Sequence, residues 1–212
     1  MRTSNTIVLA SNNDHKLEEF KQLFASFPEI EIVPAHTVIR NAEKIGLVEK
    51  YDQFEANSLA KARLANQASH YPCLADDSGL EVEALEGAPG VKSHRYAIAK
   101  AGQNQDQANR EKLLDALKGR PMDARGARFV CVLTLVIEGV ALQGRGELLG
   151  KIAEAPQGTS GFGYDPIFIP EGSSQTLAEL SSDEKNQISH RAKAVRELIQ
   201  KIQTRGILLA KP

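Results

Sequence analysis

The chain is short of the residues on which several kinds of cysteine chemistry depend. It has only two cysteines, Cys73 and Cys131, and both fall within apolar, strand-like stretches. Two such cysteines do not make the disulfide framework of a small secreted protein, and they offer no cysteine-based zinc site. Neither has the adjacent basic group or helix N-terminus that activates a nucleophilic cysteine. The sequence therefore argues against all three roles.

Charge of one sign and long hydrophobic runs are also missing. The 26 lysines and arginines balance 27 acidic residues, and no basic block occurs, so non-specific nucleic-acid binding is not indicated. The longest apolar stretch, residues 129–137, is far shorter than a membrane span, and the run at residues 7–10 is too short for a signal peptide. We therefore expect a soluble, reduced, cytoplasmic protein that binds neither nucleic acid nor membrane.

The order of apolar patterns predicts a mixed α/β protein with one domain over residues 1–212. Periodicity predicts strands at residues 7–10, 30–33, 80–85, 127–138 and 141–152, and helices at residues 14–27, 53–71 and 105–117. A capping box at residues 181–184 opens a C-terminal helix, which Ser189 is expected to restart. The strand–helix–strand order predicts parallel pairing near the start, and two strands joined through Gly139 predict antiparallel pairing in the middle.

Two adjacent carboxylates, Asp76 and Asp77, stand where the apolar run from Cys73 is expected to end, before a Ser-Gly turn. Ionised carboxylates at the edge of a core need a cationic partner. Mg²⁺ binds through one or two carboxylates together with water and substrate phosphates. A turn without any chemistry explains the same residues, and the run alone leaves both interpretations open. Because neighbours on a strand point to opposite faces, the two carboxylates need not share one metal ion.

A second polar segment follows the first predicted strand and opens the first predicted helix. Its residues are Ser11, Asn12, Asn13, Asp14, His15 and Lys16. A helix N-terminus presents free N–H groups to an anion, and the lysine adds a positive charge. The segment lacks the glycines of a Walker A loop. Taken alone, it is more typical of a helix cap followed by a surface lysine.

The second predicted helix carries a further candidate set near Glu49. Asn57 and Lys61 are four residues apart, so they share a helix face. A lysine on the same side as a metal-binding carboxylate would suit a polyphosphate. Spacing by itself favours a solvated helix face.

Two segments in the second half of the chain suit recognition of a base. Phe162 or Tyr164, among glycines, could stack on a base, and Asp165 could accept a hydrogen bond from it. The alternative is a loop whose aromatic rings fill the core. Three basic residues near a predicted helix start suit an anion or a carbonyl-rich ligand, or else lie on the surface: Lys185, His190 and Arg191.

Seven motifs in register resemble the inosine triphosphate pyrophosphatase family, also called the XTP/dITP diphosphatases. They extend over about residues 7–202, in the order LASNNDHK, FEANSLAKA, LADDSGLEVEAL, GAPGVKSHRY, ARFVCVL, GTSGFGYDPIF and LSSDEKNQISHRAKA. The resemblance implies an elongated, two-lobed α/β fold around a long central mixed sheet with flanking helices, and a homodimer. It also implies Mg²⁺-dependent hydrolysis of deaminated purine nucleoside triphosphates (ITP, dITP, XTP and dXTP) to monophosphate and pyrophosphate, which cleanses the nucleotide pool.

The resemblance also implies roles for individual residues. Asp77 would bind the metal ion and act as the base for the attacking water, with Glu49 as a second metal carboxylate. Lys61 would contact the phosphates, and Ser78 would touch the substrate. The phosphate-binding turn would comprise Ser11, Asn12, Asn13, Asp14, His15 and Lys16. The base would be held by Phe162, Gly163, Tyr164, Asp165, Lys185, His190 and Arg191.

Two other readings stay open. A Maf-like nucleotide pyrophosphatase with a different base preference also begins with a Leu-Ala-Ser turn, but it continues with Ser-Pro-Arg-Arg, whereas Asn12 follows Ser11 here. A non-catalytic nucleotide-binding protein is the other. Its only support is that the residues after Glu49 and the residue Ala56 depart from the family's usual pattern.

Overall fold

The computed structural model describes residues 6–11, 13–27 and 30–206 of the chain. Its strands are β1 (Thr6–Leu9), β2 (Glu31–Pro34), β3 (Cys73–Val82), β4 (Gly126–Ile137), β5 (Val140–Ile152) and β6 (Phe168–Pro170). Its α-helices are α1 (Asp14–Phe24), α2 (Phe54–Ser69), α3 (Gln105–Ala116), α4 (Ser182–Ile188) and α5 (His190–Thr204). The predicted α/β class is confirmed, and the predicted helices are present with ends that differ by a few residues.

The strands form one mixed sheet in the order β2-β1-β3-β4-β5-β6. β1 pairs in parallel with both β2 and β3, whereas β5 pairs with β6 in antiparallel. Between β4 and β5 stand only Glu138 and Gly139, with φ values of 48° and 80°. Positive φ at both central residues is typical of the tight turn that joins antiparallel strands. The predicted change from parallel to antiparallel pairing is therefore confirmed.

The prediction of a Ser-Gly turn and a separate strand at residues 80–85 is wrong. β3 runs without interruption from Cys73 to Val82, and a short 3₁₀ helix, Glu83–Leu85, follows it. Because β3 lies between β1 and β4, sheet pairing overrides the turn preference of Asp, Ser and Gly. Asp76 and Asp77 consequently lie inside a strand and not at its end.

The chain packs as two compact units. Unit one consists of Met1–Asp77, Cys131–Gly146 and Arg191–Pro212, and unit two of Ser78–Val130 and Glu147–His190. Each unit has its own apolar core. The single domain expected over residues 1–212 stays a prediction. None of the helices in the described ranges has the length and apolar character needed to cross a bilayer.

Unit one buries apolar side chains on both faces of its strands. On β1, Ile7 and Leu9 pack with α1 and α5 residues, while Val8 packs on the other face with Ala62 of α2. This alternation follows from the two-residue period of a strand. It places α1 and α5 on one face and α2 on the opposite face.

Unit two gathers its core around α3, β6 and the adjoining parts of β3, β4 and β5. The rings of Phe129 and Phe168 lie 4.6 Å apart at its centre. Arg125 is buried, and its guanidinium donates to the carbonyls of Leu117, Ile152 and Ala153 at 2.7–2.9 Å. Because the last carbonyls of a helix lack partners within the helix, this arginine secures the C-terminus of α3.

Candidate active site

In unit one, Asp77 is held by two side chains from α2. Asn57 donates its Nδ2 to Asp77 Oδ2 at 3.0 Å, and Lys61 donates its Nζ to Asp77 Oδ1 at 3.3 Å. Asn57 is 1% exposed and Lys61 4%, so the solvated helix face favoured by their spacing is wrong. The face is instead turned toward a carboxylate that is itself only 6% exposed. Buried charges of opposite sign at this distance compensate for the loss of hydration.

Lys61 connects two carboxylates that are distant in the sequence. Its Nζ lies 2.5 Å from Glu49 Oε1 and 2.5 Å from the Asp76 carbonyl, in addition to its bond with Asp77. Burial disfavours the charged ammonium, but the carboxylates of Asp77, Glu49 and Asp76 outweigh it, and the pKa of Lys61 is raised. Lys61 therefore stays protonated near neutral pH.

For Asp77, in contrast with Lys61, the effect of burial outweighs that of the neighbouring charges. Burial raises the pKa of Asp77 above its usual value, Lys61 counteracts this, and the nearby Glu49 adds to it. A carboxylate in such surroundings is a better proton acceptor than an exposed one.

Asn57 and Ser58, both on α2, also keep this arrangement in place. The Asn57 side chain also bonds the backbone N–H and carbonyl of Tyr51, at 3.0 and 2.9 Å, and so fixes the segment between Glu49 and α2. Ser58 donates to the Ala75 carbonyl at 3.0 Å and lies 2.7 Å from Thr134 Oγ1, which joins α2 to β3 and β4. The spacing in the sequence placed Asn57 on the same helix face as Lys61 but gave it no specific role. It gave no signal for Ser58, although both residues lie inside the FEANSLAKA motif.

Asp76 faces a different set of cations. Its carboxylate forms a salt bridge with Lys16 of α1, and Arg191 Nε of α5 lies 3.8 Å away. Burial alone would raise the pKa of Asp76, but Lys16, Arg191 and Lys61 outweigh it and hold the pKa far below its usual range. As expected for neighbours on a strand, the two carboxylates face different cations: that of Asp77 bonds Lys61, and that of Asp76 bonds Lys16. Arg191 also donates to Glu19 at 2.9 Å, which places it beside Lys16.

The predicted phosphate-binding turn is a well-formed helix cap. Asn13 Oδ1 accepts from the Lys16 N–H at 3.2 Å, and Ser11 Oγ accepts from the Asn13 N–H at 3.2 Å. Asp14 and His15 lie exposed in the first turn of α1. Asn12 lies outside the described residues. The cap explains the polar residues here, but Lys16 turns toward Asp76 and is no isolated surface lysine.

In unit two, the carboxylate of Asp165 organises the Gly-Phe-Gly-Tyr loop. Its Oδ2 accepts from the Phe162 N–H at 2.9 Å and from Lys185 Nζ of α4 at 2.8 Å. Lys185 Nζ also lies 5.1 Å from the centre of the Phe162 ring. Gly161 has φ +75°, and a Cβ there would lie 2.2 Å from Asp165 Oδ2, so only glycine fits. The sequence-predicted residues Phe162, Asp165 and Lys185 are thus in mutual contact.

Two other rings predicted for this site pack inward. Tyr164 is buried and donates its hydroxyl to the Ser93 carbonyl at 2.9 Å, and burial raises its pKa. The His190 ring stacks on Phe129, with ring centres 4.7 Å apart, and is 2% exposed. Ser78, which follows Asp77 on β3, is half-buried. In the aromatic pair Phe162 and Tyr164, the partly exposed ring is that of Phe162.

The carboxylates near Lys61 suit a Mg²⁺ ion that is also bound by water and substrate phosphates. Among the described residues, no three His, Cys, Asp or Glu side chains cluster closely enough to hold a metal ion on their own. Asp77 and Glu49 supply two carboxylates around one ammonium. Since Mg²⁺ is commonly bound by one or two carboxylates and completes its shell with water and substrate phosphates, this set suits an ion that arrives with a phosphate ligand.

Comparison with known proteins gives a consistent match over most of the chain. The model of the Ham1 family matches residues 7–201. A Bacillus subtilis (strain 168) protein named dITP/XTP pyrophosphatase is 42% identical over 196 residues, covering 90% of this chain and 93% of its own. A Ralstonia nicotianae protein of the same name is 43% identical over 200 residues, covering 92% and 96%.

Solved structures agree with these sequence matches. A HAM1 protein from Coxiella burnetii is 38% identical with a TM-score of 0.78, and the match covers 94% of this chain and 98% of that one. The Staphylococcus aureus Ham1 protein is 37% identical with a TM-score of 0.77, covering 94% and 99%. The similarity therefore extends over both units.

Proposed function

Because the chain belongs to the Ham1 family, we propose that it hydrolyses deaminated purine nucleoside triphosphates, such as dITP, ITP and XTP, to the monophosphate and pyrophosphate. Relatives that match nearly its whole length carry the name dITP/XTP pyrophosphatase. The match spans the segments that hold Glu49, Lys61 and Asp77. An enzyme of this kind removes damaged precursors from the nucleotide pool.

The observation that carries the proposal is the pairing of one buried ammonium with two carboxylates. Lys61 Nζ contacts Glu49 at 2.5 Å and Asp77 at 3.3 Å. A triphosphate needs cations to offset its charge, and a water molecule needs a base to become a nucleophile. Lys61 serves the first need, and Asp77, with its raised pKa, serves the second. The cap of α1 and Lys16 add backbone N–H groups and a second cation for the phosphates.

We include Mg²⁺ in the proposal, held by Asp77 and Glu49. When bound, it would neutralise phosphate charge and polarise the phosphoryl group. The chain's own part is to orient Asp77 through Asn57 and Lys61, at 3.0 and 3.3 Å, and to accept a proton from water at the Asp77 carboxylate. Pyrophosphate leaves readily once Lys16 and Lys61 screen its charge.

Base selection is assigned to unit two, apart from Arg191 of unit one. Hypoxanthine and xanthine present a C6 carbonyl and an N1–H donor, whereas adenine presents an amino group and a bare N1. An acceptor and a cationic donor side by side, as in Asp165 and Lys185, complement the first pattern and not the second. A buried polar group left unpaired costs about 1–3 kcal/mol, which is about 10- to 100-fold in selectivity. Guanine shares the carbonyl and the N1–H, so this pair alone does not reject GTP.

The remaining base contacts are proposed from the resemblance. Phe162 would stack on the base, and Gly163, Tyr164 and His190 would shape the surroundings of Phe162 and Lys185. Arg191 is assigned to the base as well, although its contacts with Asp76 and Glu19 favour a place near Lys16. Ser78 would touch the substrate beside Asp77.

A substrate panel tests the proposal. Pyrophosphate and orthophosphate release would be measured for ITP, dITP, XTP and the four common ribonucleoside triphosphates, with Mg²⁺ and with EDTA. We expect pyrophosphate alone, with ITP, dITP and XTP far ahead of ATP, and no turnover in EDTA. Release of orthophosphate, or equal rates for ITP and ATP, would refute the proposed reaction.

The same panel distinguishes the two other readings. A Maf-like pyrophosphatase would release pyrophosphate but prefer other bases, and a non-catalytic protein would bind a nucleotide without turnover. The family match over residues 7–201 favours neither of them.

A homodimer and a cytoplasmic location complete the proposal. The homodimer follows from the resemblance, and the location from composition. Multi-angle light scattering would test the assembly, since a dimer has twice the 23.1 kDa mass of one chain. A mass of one chain at micromolar concentration would rule the dimer out.

A further inference from the structure

Two side chains of α3 hold both peptide groups of Gly163. Asp106 Oδ2 accepts from the Gly163 N–H at 2.8 Å, and Arg110 Nη1 donates to the Gly163 carbonyl at 2.6 Å. Asp106 and Arg110 are four residues apart and therefore share one face of α3. Both hydrogen bonds involve a charged partner, which makes them stronger than bonds between neutral groups. We call these two residues the α3 clamp.

The α3 clamp acts at the centre of the loop proposed to read the base. Gly163 stands between Phe162 and Tyr164 and has φ +60°, a conformation that residues other than glycine rarely adopt. On one side of it, the Phe162 N–H is bound by Asp165, and Asp165 is bound by Lys185. The directions of the Phe162 ring and the Asp165 carboxylate therefore depend on the same short backbone segment that the α3 clamp holds.

α3 itself is held in place at two points, so the residues of the α3 clamp project from a helix with a fixed position. Asn109, on the same face, is buried and bonds the His94 carbonyl at 3.0 Å and the Ala97 N–H at 2.8 Å. At the C-terminus of the helix, Arg125 donates to the Leu117 carbonyl at 2.9 Å. A side chain on a helix that is fixed at both places can hold a loop more precisely than a loop residue can.

We propose that Asp106 and Arg110 are positioning residues for base selection, which act on the substrate only through the backbone of Gly163. The inference rests on the proposed function and deepens it. Releasing Gly163 would let Phe162 and Asp165 shift, and a binding site whose supports let it loosen by about 1 Å loses its function. The chemistry at Asp77 would keep its own supports, Asn57 and Lys61.

The first test is structural and needs no substrate. Hydrogen–deuterium exchange would compare the wild type with Asp106→Ala and Arg110→Ala, and with the controls Asp115→Ala and Arg120→Ala, which change exposed residues at the far end of the α3 region. We expect exchange in peptides covering residues 161–165 to quicken about tenfold in the clamp variants. Exchange at residues 73–77 should not change. Unaltered exchange at residues 161–165 would overturn the inference.

The second test is kinetic. In Asp106→Ala, the ratio of kcat/KM for ITP to that for ATP should fall about five- to tenfold, mainly through a higher KM for ITP with kcat nearly kept. Asp106→Asn keeps an acceptor for the Gly163 N–H and should recover the ratio to within about twofold. Gly163→Ala strains the same peptide, at φ +60°, without a steric clash within 4 Å, and should lower the ratio as well. If Asp106→Ala does not fold, the ITP-to-ATP ratio of Gly163→Ala tests the inference in its place.

The outcomes separate the inference from the proposed function. Faster exchange at residues 161–165 with an unchanged ITP-to-ATP ratio would refute the role in base selection while the proposed reaction stands. Loss of kcat without a change in the ratio would equally refute it. A wild type with no preference for ITP over ATP would refute the proposed function, and the role in base selection with it, even if exchange showed the clamp to be real.

Discussion

Unit one and unit two hold their candidate site residues in different ways. In unit one, Glu49, Asp77 and Lys61 are joined by side-chain ion pairs at 2.5 and 3.3 Å, and Asp77 and Lys61 lie on β3 and α2. In unit two, the loop around Phe162 is held by side chains that bind its backbone, from Asp165 at 2.9 Å and from Asp106 at 2.8 Å. Unit one therefore fixes charges, whereas unit two fixes the course of a loop.

This difference suggests how the two units divide their work. Charges held on a strand and a helix suit chemistry that is the same for every triphosphate, because they do not depend on which base is present. A loop held through its backbone can place an acceptor and an aromatic ring to suit one base. We expect substitutions in unit one to change rates for all substrates, and substitutions in unit two to change the preference among them.

The largest effect is expected for Asp77→Asn. The amide keeps the size of the side chain, but it accepts no proton and is a poor ligand for Mg²⁺, so kcat for ITP should fall about 10³-fold. Steady-state pyrophosphate release would measure this, and circular dichroism would check the fold. Asp52→Asn, an exposed carboxylate of the same unit, is the control and should leave kcat unchanged. Near-normal kcat in Asp77→Asn would remove Asp77 from the mechanism.

The next effect is on stability. Lys61→Met removes the cation shared by Asp77 and Glu49, and breaking such a buried pair should cost about 3 kcal/mol of unfolding free energy. For a chain of this size, Tm should drop by about 6–12 °C. Since the two carboxylates then lack their ammonium, Mg²⁺ should raise the Tm of Lys61→Met more than that of the wild type. Lys44→Met, at an exposed lysine, provides the reference. Equal Mg²⁺ shifts would argue against a cation site shared by Asp77 and Glu49.

A smaller effect is expected in unit two. Lys185→Gln keeps a donor for Asp165 but loses the positive charge, so the ITP-to-ATP ratio of kcat/KM should fall about tenfold while kcat for ATP changes little. Lys118→Gln is the matched control at an exposed lysine of unit two. If both nucleotides lost rate equally, Lys185 would belong with the phosphates and not with the base.

The two thiols are expected to react very little in the folded protein. Burial raises the pKa of Cys73 to about 11, with Ser69 opposing it, and burial together with Asp76 raises that of Cys131 well above its usual value. Both thiols therefore stay protonated at pH 8, and a disulfide reagent should label them at least about a hundredfold more slowly than in the unfolded chain. Rapid labelling of the native protein would show that one of these strands opens readily.

The sequence predicted the helices and the pairing of the sheet because apolar periodicity carries that information directly. It misjudged residues 78–80, since the turn preference of Asp, Ser and Gly is local and the pairing of β3 with β1 and β4 is not. It also mistook the Asn57–Lys61 face for a solvated one, because a buried charged face and an exposed one have the same spacing. Only the position of Asp77 distinguishes them.

Most candidate residues reached from the sequence carry aromatic or charged side chains within its motifs. The residues that were missed, Ser58, Asp106 and Arg110, bind backbone groups of other segments. Phe162, Asp165 and Lys185 stood out as aromatic and charged residues in two motifs, and they are in contact. Asp106 and Arg110 sit in a helix whose charged residues resemble an ordinary solvated face. Their partner is Gly163, more than fifty residues away along the chain. They bind its backbone, so the sequence carries no sign of the contact.

The most direct test of this division is the base preference that survives in Asp77→Asn. At high enzyme concentration, kcat/KM would be measured for ITP and for ATP in the wild type and in Asp77→Asn. The division of labour predicts that both values fall by the same large factor, so that the ITP-to-ATP ratio stays within about twofold of the wild type. A ratio that collapses toward one in Asp77→Asn would contradict it, because the carboxylate proposed as catalytic would then also be selecting the base.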